Sequence, residues 1–228
     1  RSALNHLKTI VFVGDPKTTK RSRATWVEEV DNIPGLFKKK RPITKTTREV
    51  VQFIENNDDL KQYLTIIKKA AISIKKTDNY FEIVSKEESV RARFVVLCAG
   101  TMDVQPSIRG SIEPILPYAN RGDVLYCIRC DGHRTVGQDT AVIGSGPGAG
   151  WIAIILKERY ELPNLYILTH GKAFEGSDEL LNILKEYQIK IVLDEIEDVL
   201  GEAKEGLRGF KLMNKEIIVS KAFVSLGS

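Results

Sequence analysis

Cysteine is scarce. Three in 228 residues make no disulfide framework, so stability must come from ordinary apolar cores, and this length can build one large domain or two smaller ones. Long apolar runs are missing as well: nothing reaches the roughly 18 residues of a membrane-spanning helix. The nearest candidate, residues 141–156, is broken by Gly144, Gly146, Pro147 and Gly148. The opening "RSALNHLKTIVFVGD" has a short strand-like centre and no cleavage pattern, so a signal peptide is not expected. Basic residues exceed acidic ones by a formal +4, with the excess in "KTTKRSR" and "KKKR". These stretches read as solvated loops, because they are not interleaved with aromatics and belong to no nucleic-acid module. No internal repeat occurs at solenoid periods.

The residues present suggest two successive units. The start reads as a helix end and then a buried strand at 9–13, closed by "GDP". "DNIPG" at 31–35 is a turn, and a helix follows over 46–56 with Val50, Val51, Phe53 and Ile54 on one side. Three β-branched runs, "LTIIKKAAISIKKT", "YFEIVS" and "ARFVVLCAG", are separated by polar turns and predict a meander ending in a buried strand. Cys98 lies inside the last run and is expected to be a small buried hydrophobe. Pro106, Pro114 and Pro117 mark an extended connector.

From about Asp123 the pattern changes. A strand at 140–143, a helix at 147–160 and a strand at 165–168 follow. Next come a helix capped by Ser177 with Leu180, Leu181 and Leu184 inward, and a strand at 189–193. A hairpin turning at 214–215 and a strand at 222–226 complete the unit. This β-α-β-α-β order is a nucleotide-binding pattern.

Gly144, Gly146 and Ala149 form a G-x-G-x-x-A between a predicted strand and helix. One glycine allows the sharp turn, the next lets a pyrophosphate approach the backbone, and the small third residue lets helix and strand pack closely. The competing reading is a glycine turn that binds nothing. After the second strand come Thr169, His170, Gly171 and Lys172, with neither the carboxylate that binds a 2′-hydroxyl nor an arginine for a 2′-phosphate. His170 and Lys172 are the candidate phosphate contacts there; a solvated loop is the alternative.

"CIRC" places Cys127 and Cys130 at C-x-x-C spacing, directly before Asp131. A zinc site recruiting His133 and Cys98 would need a ligand from an apolar run, and no second C-x-x-C exists. A structural or incidental pair is a second reading. The third is a redox dithiol beside a nucleotide-binding unit, with Asp131 as the group that shuttles the released proton.

"GDVLYCIRCDGH" followed by "VGQDTAVIGSGPGAG" resembles the thioredoxin-reductase group of class II pyridine nucleotide-disulfide oxidoreductases, which are flavoproteins. "VDNIPG", "VVLCAGT" and "AFVSLGS" resemble further segments of that family, so the resemblance runs along essentially the whole chain. It implies an α/β, two-domain FAD/NAD(P)-binding Rossmann-like fold in three layers, with a nicotinamide-type domain inserted into an FAD domain. On that map residues 1–117 are an incomplete FAD-binding domain and residues 118–228 the inserted domain with the C-x-x-C. The family's first strand with its own glycine fingerprint, and its closing FAD segment, have no counterpart here. The chain is accordingly expected to be the middle of a longer protein and to bind FAD poorly as it stands.

The resemblance also assigns roles. Reduced FAD passes two electrons to the Cys127–Cys130 disulfide, Cys130 facing the flavin beside Asp131, the acid/base. Cys127 attacks the disulfide of a small thioredoxin-like protein. Asp15, Asn32, Ala99 and Gly100 are the expected flavin contacts; Gly144, Gly146, Ala149, His170 and Lys172 are the expected contacts of a weakly bound NAD(P)H. A cytoplasmic homodimer without metal, nucleic acid or membrane completes the picture. The alternative is an altered relative, a nucleotide-binding redox sensor without NADPH-dependent disulfide reductase activity.

Overall fold

The computed structural model describes residues 1–14, 22–25, 31, 33–35 and 43–227. They form two compact units, Arg1–Ser22 with Thr44–Gly100, and Arg23–Ile43 with Thr101–Ser228.

In the first unit, strand β1 (Thr9–Phe12), helix α1 (Ile43–Glu55), the one-turn helix α2 (Asp58–Lys61) and strand β2 (Leu64–Ile67) follow in order. β1 and β2 pair in parallel from Thr9 opposite Leu64 to Phe12 opposite Ile67, so α1 and α2 form their crossover. The Asn57 side chain caps α2 by accepting the backbone N–H groups of Asp59 and Leu60. Strands β3 (Ser73–Lys76), β4 (Phe81–Val84) and β5 (Ser89–Ala92) form a separate antiparallel sheet in that order.

Four expectations need correction here. The first run of the anticipated meander splits, because residues 64–67 pair with β1 while 73–76 join the antiparallel sheet. Among the described side chains of α1 only Ile54 is buried; Val50 and Phe53 face solvent. Residues 94–100 form no strand, and Phe94, Val96 and Leu97 are 78–84% exposed. Cys98 is exposed too, not a core residue. A strand must hand its N–H and C=O groups to a neighbour, and among the described residues none runs beside this stretch.

The second unit is built on a parallel sheet. Helix α3 (Leu116–Arg121) precedes β6 (Val124–Leu125), and the short helix α4 (Ile128–Asp131) follows it. Then come β7 (Thr140–Ile143), α5 (Pro147–Arg159), β8 (Leu165–Leu168), α6 (Asp178–Glu186) and β9 (Lys190–Val192). An antiparallel trio, β10 (Ile196–Glu202), β11 (Gly206–Leu212) and β12 (Glu216–Ile218), leads to β13 (Lys221–Val224). The parallel sheet runs β6-β13-β7-β8-β9. Sequence alone suggested one hairpin at 214–215; β10 adds a second, its acidic, glycine-broken stretch hiding the strand.

Alternation along the parallel strands divides their side chains between two cores. Ala141, Ile143, Leu168, Ala222 and Val224 join Leu207, Phe210 and Leu212 of the antiparallel trio. Val142, Ile167 and Phe223 instead pack with Ala149, Ala153 and Leu156 of α5 and with Leu180 and Leu184 of α6. Helices therefore cover one face and a second sheet the other, giving three layers around strands apolar on both sides. Leu181, expected inward, is 38% exposed. Ser177 caps α6 as expected, accepting the Leu180 N–H at 3.2 Å. The buried Asp123 ties the layers together. It accepts from Lys221 Nζ at 2.6 Å, Arg121 Nε at 3.0 Å and the Leu207 N–H at 3.2 Å.

Candidate functional site

β6 delivers the chain to the cysteines. Tyr126, at its end, is buried and donates its hydroxyl to Gln105 Oε1 at 2.7 Å; burial raises the pKa of this hydroxyl. Cys127 is still extended (φ −130°, ψ 104°), and α4 begins at the next residue. The Cys127 carbonyl accepts the N–H groups of Cys130 at 3.1 Å and Asp131 at 2.9 Å. One helical turn puts residues i and i+3 on the same face. Cys127 and Cys130 are accordingly joined in a disulfide with a Cα–Cα distance of 5.3 Å, both half-buried. Among the described residues no group of three or more His, Cys, Asp or Glu side chains is placed to hold a metal ion.

Asp131 follows the disulfide and is 7% exposed. Burial pushes its carboxyl above the ordinary value, against the pull of Arg134, His133 and Arg23, while Asp31 adds to the rise. Gly132 then starts a tight 3-10 turn over Gly132–Thr135, closed by the Thr135 hydroxyl donating to the Gly132 carbonyl at 2.8 Å. A Cβ at Gly132 would lie 2.6 Å from the Tyr160 ring, which accounts for a glycine after the Cys-Asp pair.

A charged group surrounds this turn. Arg134 Nη2 donates to Asp31 Oδ2 at 2.7 Å, and its Nε lies 3.6 Å from Asp131 Oδ1. His133 Nε2 reaches the same Asp31 oxygen at 3.1 Å. Arg23 grips the buried Asp103 through both Nε and Nη2, which pushes the guanidinium pKa up. Sequence reading did not identify Asp31, Arg23, Asp103 or Arg134 as part of this surrounding; the "HR" directly after the C-x-x-C-D-G was the one local signal.

The glycine turn leaves the end of β7. Gly144 is buried, its N–H bonded to the Leu168 carbonyl at 3.0 Å. A Cβ there would stand 2.4 Å from the Ser225 carbonyl oxygen at the end of β13. Gly146 is different: a Cβ on it would meet nothing within 4 Å, so its outer side is open. Pro147 takes the first position of α5, where a missing N–H costs nothing, and buried Ala149 lets the helix sit close to Gly144. Parallel strands end on one edge. Cys127 follows β6 and Gly144 follows β7, with β13 between them, so disulfide and turn share that edge roughly 10 Å apart, two strand spacings.

The other expected contacts fare differently. Thr169 is buried and gives its hydroxyl to the Lys172 carbonyl at 2.6 Å. His170 accepts the Ile196 N–H on Nδ1 at 3.0 Å and places Nε2 2.9 Å from the Ser107 carbonyl. Both ring nitrogens thus serve the backbone, and a phosphate would have to displace one of them. Lys172 is exposed. Ala99 and Gly100 lie on the exposed stretch without a strand, and Asp15 and Asn32 lie outside the described residues.

No family model matches the chain. A curated relative, the thioredoxin reductase of Ureaplasma parvum serovar 3, is 27% identical over 124 residues, 53% of this chain and 37% of that protein. The chain thus spans little more than a third of the curated relative it matches. The crystal structure of thioredoxin reductase from Streptococcus pyogenes aligns with a TM-score of 0.70 at 14% identity, over 99% of this chain and 71% of that one. Thioredoxin reductase from Giardia duodenalis gives 0.70 at 19% identity, over the same shares. The fold is therefore of the FAD/NAD(P)-binding Rossmann-like kind that the sequence suggested.

Proposed function

We propose that this chain, thioredoxin-reductase-like in sequence and fold, carries two electrons through the Cys127–Cys130 disulfide to the disulfide of a small thioredoxin-like protein. The observation that carries the reading is the disulfide on a single helical turn, followed by a buried carboxylate, on the sheet edge that also bears an open glycine turn. Two electrons and two protons open the bond to two thiols. The Cys127 thiolate then attacks a sulfur of the partner's disulfide, forming a mixed disulfide and releasing a partner thiolate. Cys130 attacks Cys127 Sγ in that mixed disulfide, which re-forms the Cys127–Cys130 bond and frees the reduced partner. Asp131, whose carboxyl burial holds readier to take up a proton, is the acid/base for the two sulfurs.

The proposed domains are 1–117, of flavin type, and 118–228, of nicotinamide type, in a cytoplasmic homodimer. In this reading a dinucleotide's pyrophosphate would lie against the open side of Gly146, with Gly144 and Ala149 shaping the turn and Lys172 serving the adenosine end. FAD is the proposed source of electrons, supplying a reduced flavin when bound. The described residues do not by themselves build its site, since Ala99 and Gly100 are exposed without a strand.

Trapping tests this function. Cys130→Ser should leave Cys127 joined to an oxidised thioredoxin after attack, giving a covalent adduct by mass spectrometry that dithiothreitol releases. Cys127→Ser should give none. An adduct with the Cys127→Ser variant alone would reverse the assigned roles, and no adduct with either would leave the redox-sensor reading as the better one.

A further inference from the structure

The charged group beside the disulfide is more than a scaffold. Arg134 reaches both carboxylates flanking the dithiol turn, and those carboxylates come from distant parts of the sequence. Arg134, Asp31 and Asp131 are shielded alike, with side chains 14%, 12% and 10% exposed, so their charges interact through little water. The guanidinium is not shared evenly. It makes a 2.7 Å hydrogen bond to Asp31, whereas its Nε stands 3.6 Å from Asp131. His133, half-exposed, adds its Nε2 to the same Asp31 oxygen. Arg23 also faces Asp131 electrostatically, but its guanidinium is already committed to Asp103.

We propose that Asp31 and Arg134 are positioning residues for the dithiol, Asp31 drawing the Arg134 charge away from Asp131 and so keeping Asp131 able to hold a proton. The proposal rests on the reading of Asp131 as the acid/base. Its logic is competitive. A carboxylate beside an uncommitted guanidinium would stay ionised at all working pH values and could not return a proton to a leaving thiolate. With Arg134 hydrogen-bonded to Asp31 and standing farther from Asp131, burial prevails over attraction, in keeping with the raised proton affinity of Asp131. The control over the dithiol's acid thus comes from the Arg23–Ile43 segment rather than from the turn that carries the cysteines.

Opposite signs make this testable. The chain is labelled with carboxyl-13C aspartate, the Asp131 signal is assigned with Asp131→Asn, and its titration midpoint is followed by NMR in the oxidised and the dithiothreitol-reduced protein. Arg134→Gln should raise the midpoint by about one pH unit or more, a tenfold gain in proton affinity, because an opposite charge at this range shifts a carboxyl by roughly 1–3 units. Asp31→Asn should lower it, both by removing a negative neighbour and by releasing Arg134 to Asp131. Arg134→Lys should keep the midpoint below that of Arg134→Gln. In the double variant the Asp31→Asn effect should shrink, since no guanidinium remains to release.

A midpoint that rises or stays fixed in Asp31→Asn would overturn the proposal, as would one unmoved in Arg134→Gln. If Arg134→Gln does not fold, Asp31→Asn still decides it. A purely structural role for Arg134 would not produce shifts of opposite sign. The titration needs no reductase activity, so opposite shifts in a chain that fails the trapping experiment would refute the proposed electron transfer and leave the charge competition at Asp131 standing.

Discussion

At Asp131 burial and charge compete for one proton. Its carboxyl is pushed up chiefly by burial, so the folded chain holds the protonated form better than the unfolded chain does. That contribution to stability is complete below the unfolded value of about 3.9 and is lost as pH rises through the folded value. Asp131→Asn is uncharged throughout and has no such dependence. Its stability relative to the wild type should therefore improve between pH 4 and pH 7, as urea-unfolding midpoints at the two pH values would reveal. An equal difference at both would show that burial does not govern this carboxyl. In disulfide exchange the same substitution should cost roughly 10²–10⁴-fold, the usual worth of a general acid/base. Two glycines separate shape from binding in the same way. Gly144→Ala drives a methyl into the Ser225 carbonyl and should cost about 1–3 kcal/mol in thermal unfolding. Gly146→Ala has room, so it should leave stability nearly unchanged and weaken dinucleotide binding instead. Equal stability losses at the two positions would contradict this division.

At the scale of elements, the helical turn that holds the cysteines should make their disulfide reversible. The C-x-x-C spacing before Asp131 predicts a reduction potential in the thioredoxin-like range, roughly −200 to −300 mV, by equilibration with glutathione buffers and thiol alkylation. A thiol count unchanged by dithiothreitol in the folded protein would defeat this expectation. The parallel strands, α5 and α6 were legible because periodicity, the glycine turn and the Ser177 cap are local features. The stretch from Phe94 to Gly100 misled for a physical reason: its composition is that of a core strand, but a strand exists only beside a partner. Leu181 failed more narrowly, since helical spacing alone did not fix the edge of the apolar stripe on α6. In the candidate site, the cysteines, Asp131 and the glycine turn stand in short motifs. Asp31 stands in the DNIPG turn, but its tie to Arg134 spans 103 positions and leaves no periodic trace in one sequence.

At the scale of the whole molecule, the parallel sheet brings disulfide and glycine turn to one edge, and in the proposed function the residues after β8 would govern which dinucleotide that edge accepts. Discrimination for a 2′-phosphate needs charge, and each charge-assisted contact contributes about 1.5–3 kcal/mol, upward of tenfold in affinity. Thr169 has committed its hydroxyl to the Lys172 carbonyl, and His170 has committed both ring nitrogens to the backbone. Gly171 offers no side chain. Lys172 alone remains, a solvated point charge on a long stem whose ordering offsets part of its attraction. The chain should therefore bind NADPH weakly, with less than about a tenfold preference over NADH. Lys172→Ala should abolish what preference there is while leaving NADH binding unchanged. Calorimetric titration with both nucleotides measures this directly. NADPH binding a hundredfold tighter than NADH would mean that a cation outside this loop reaches the ribose phosphate, and that the sheet edge is completed by residues beyond β8.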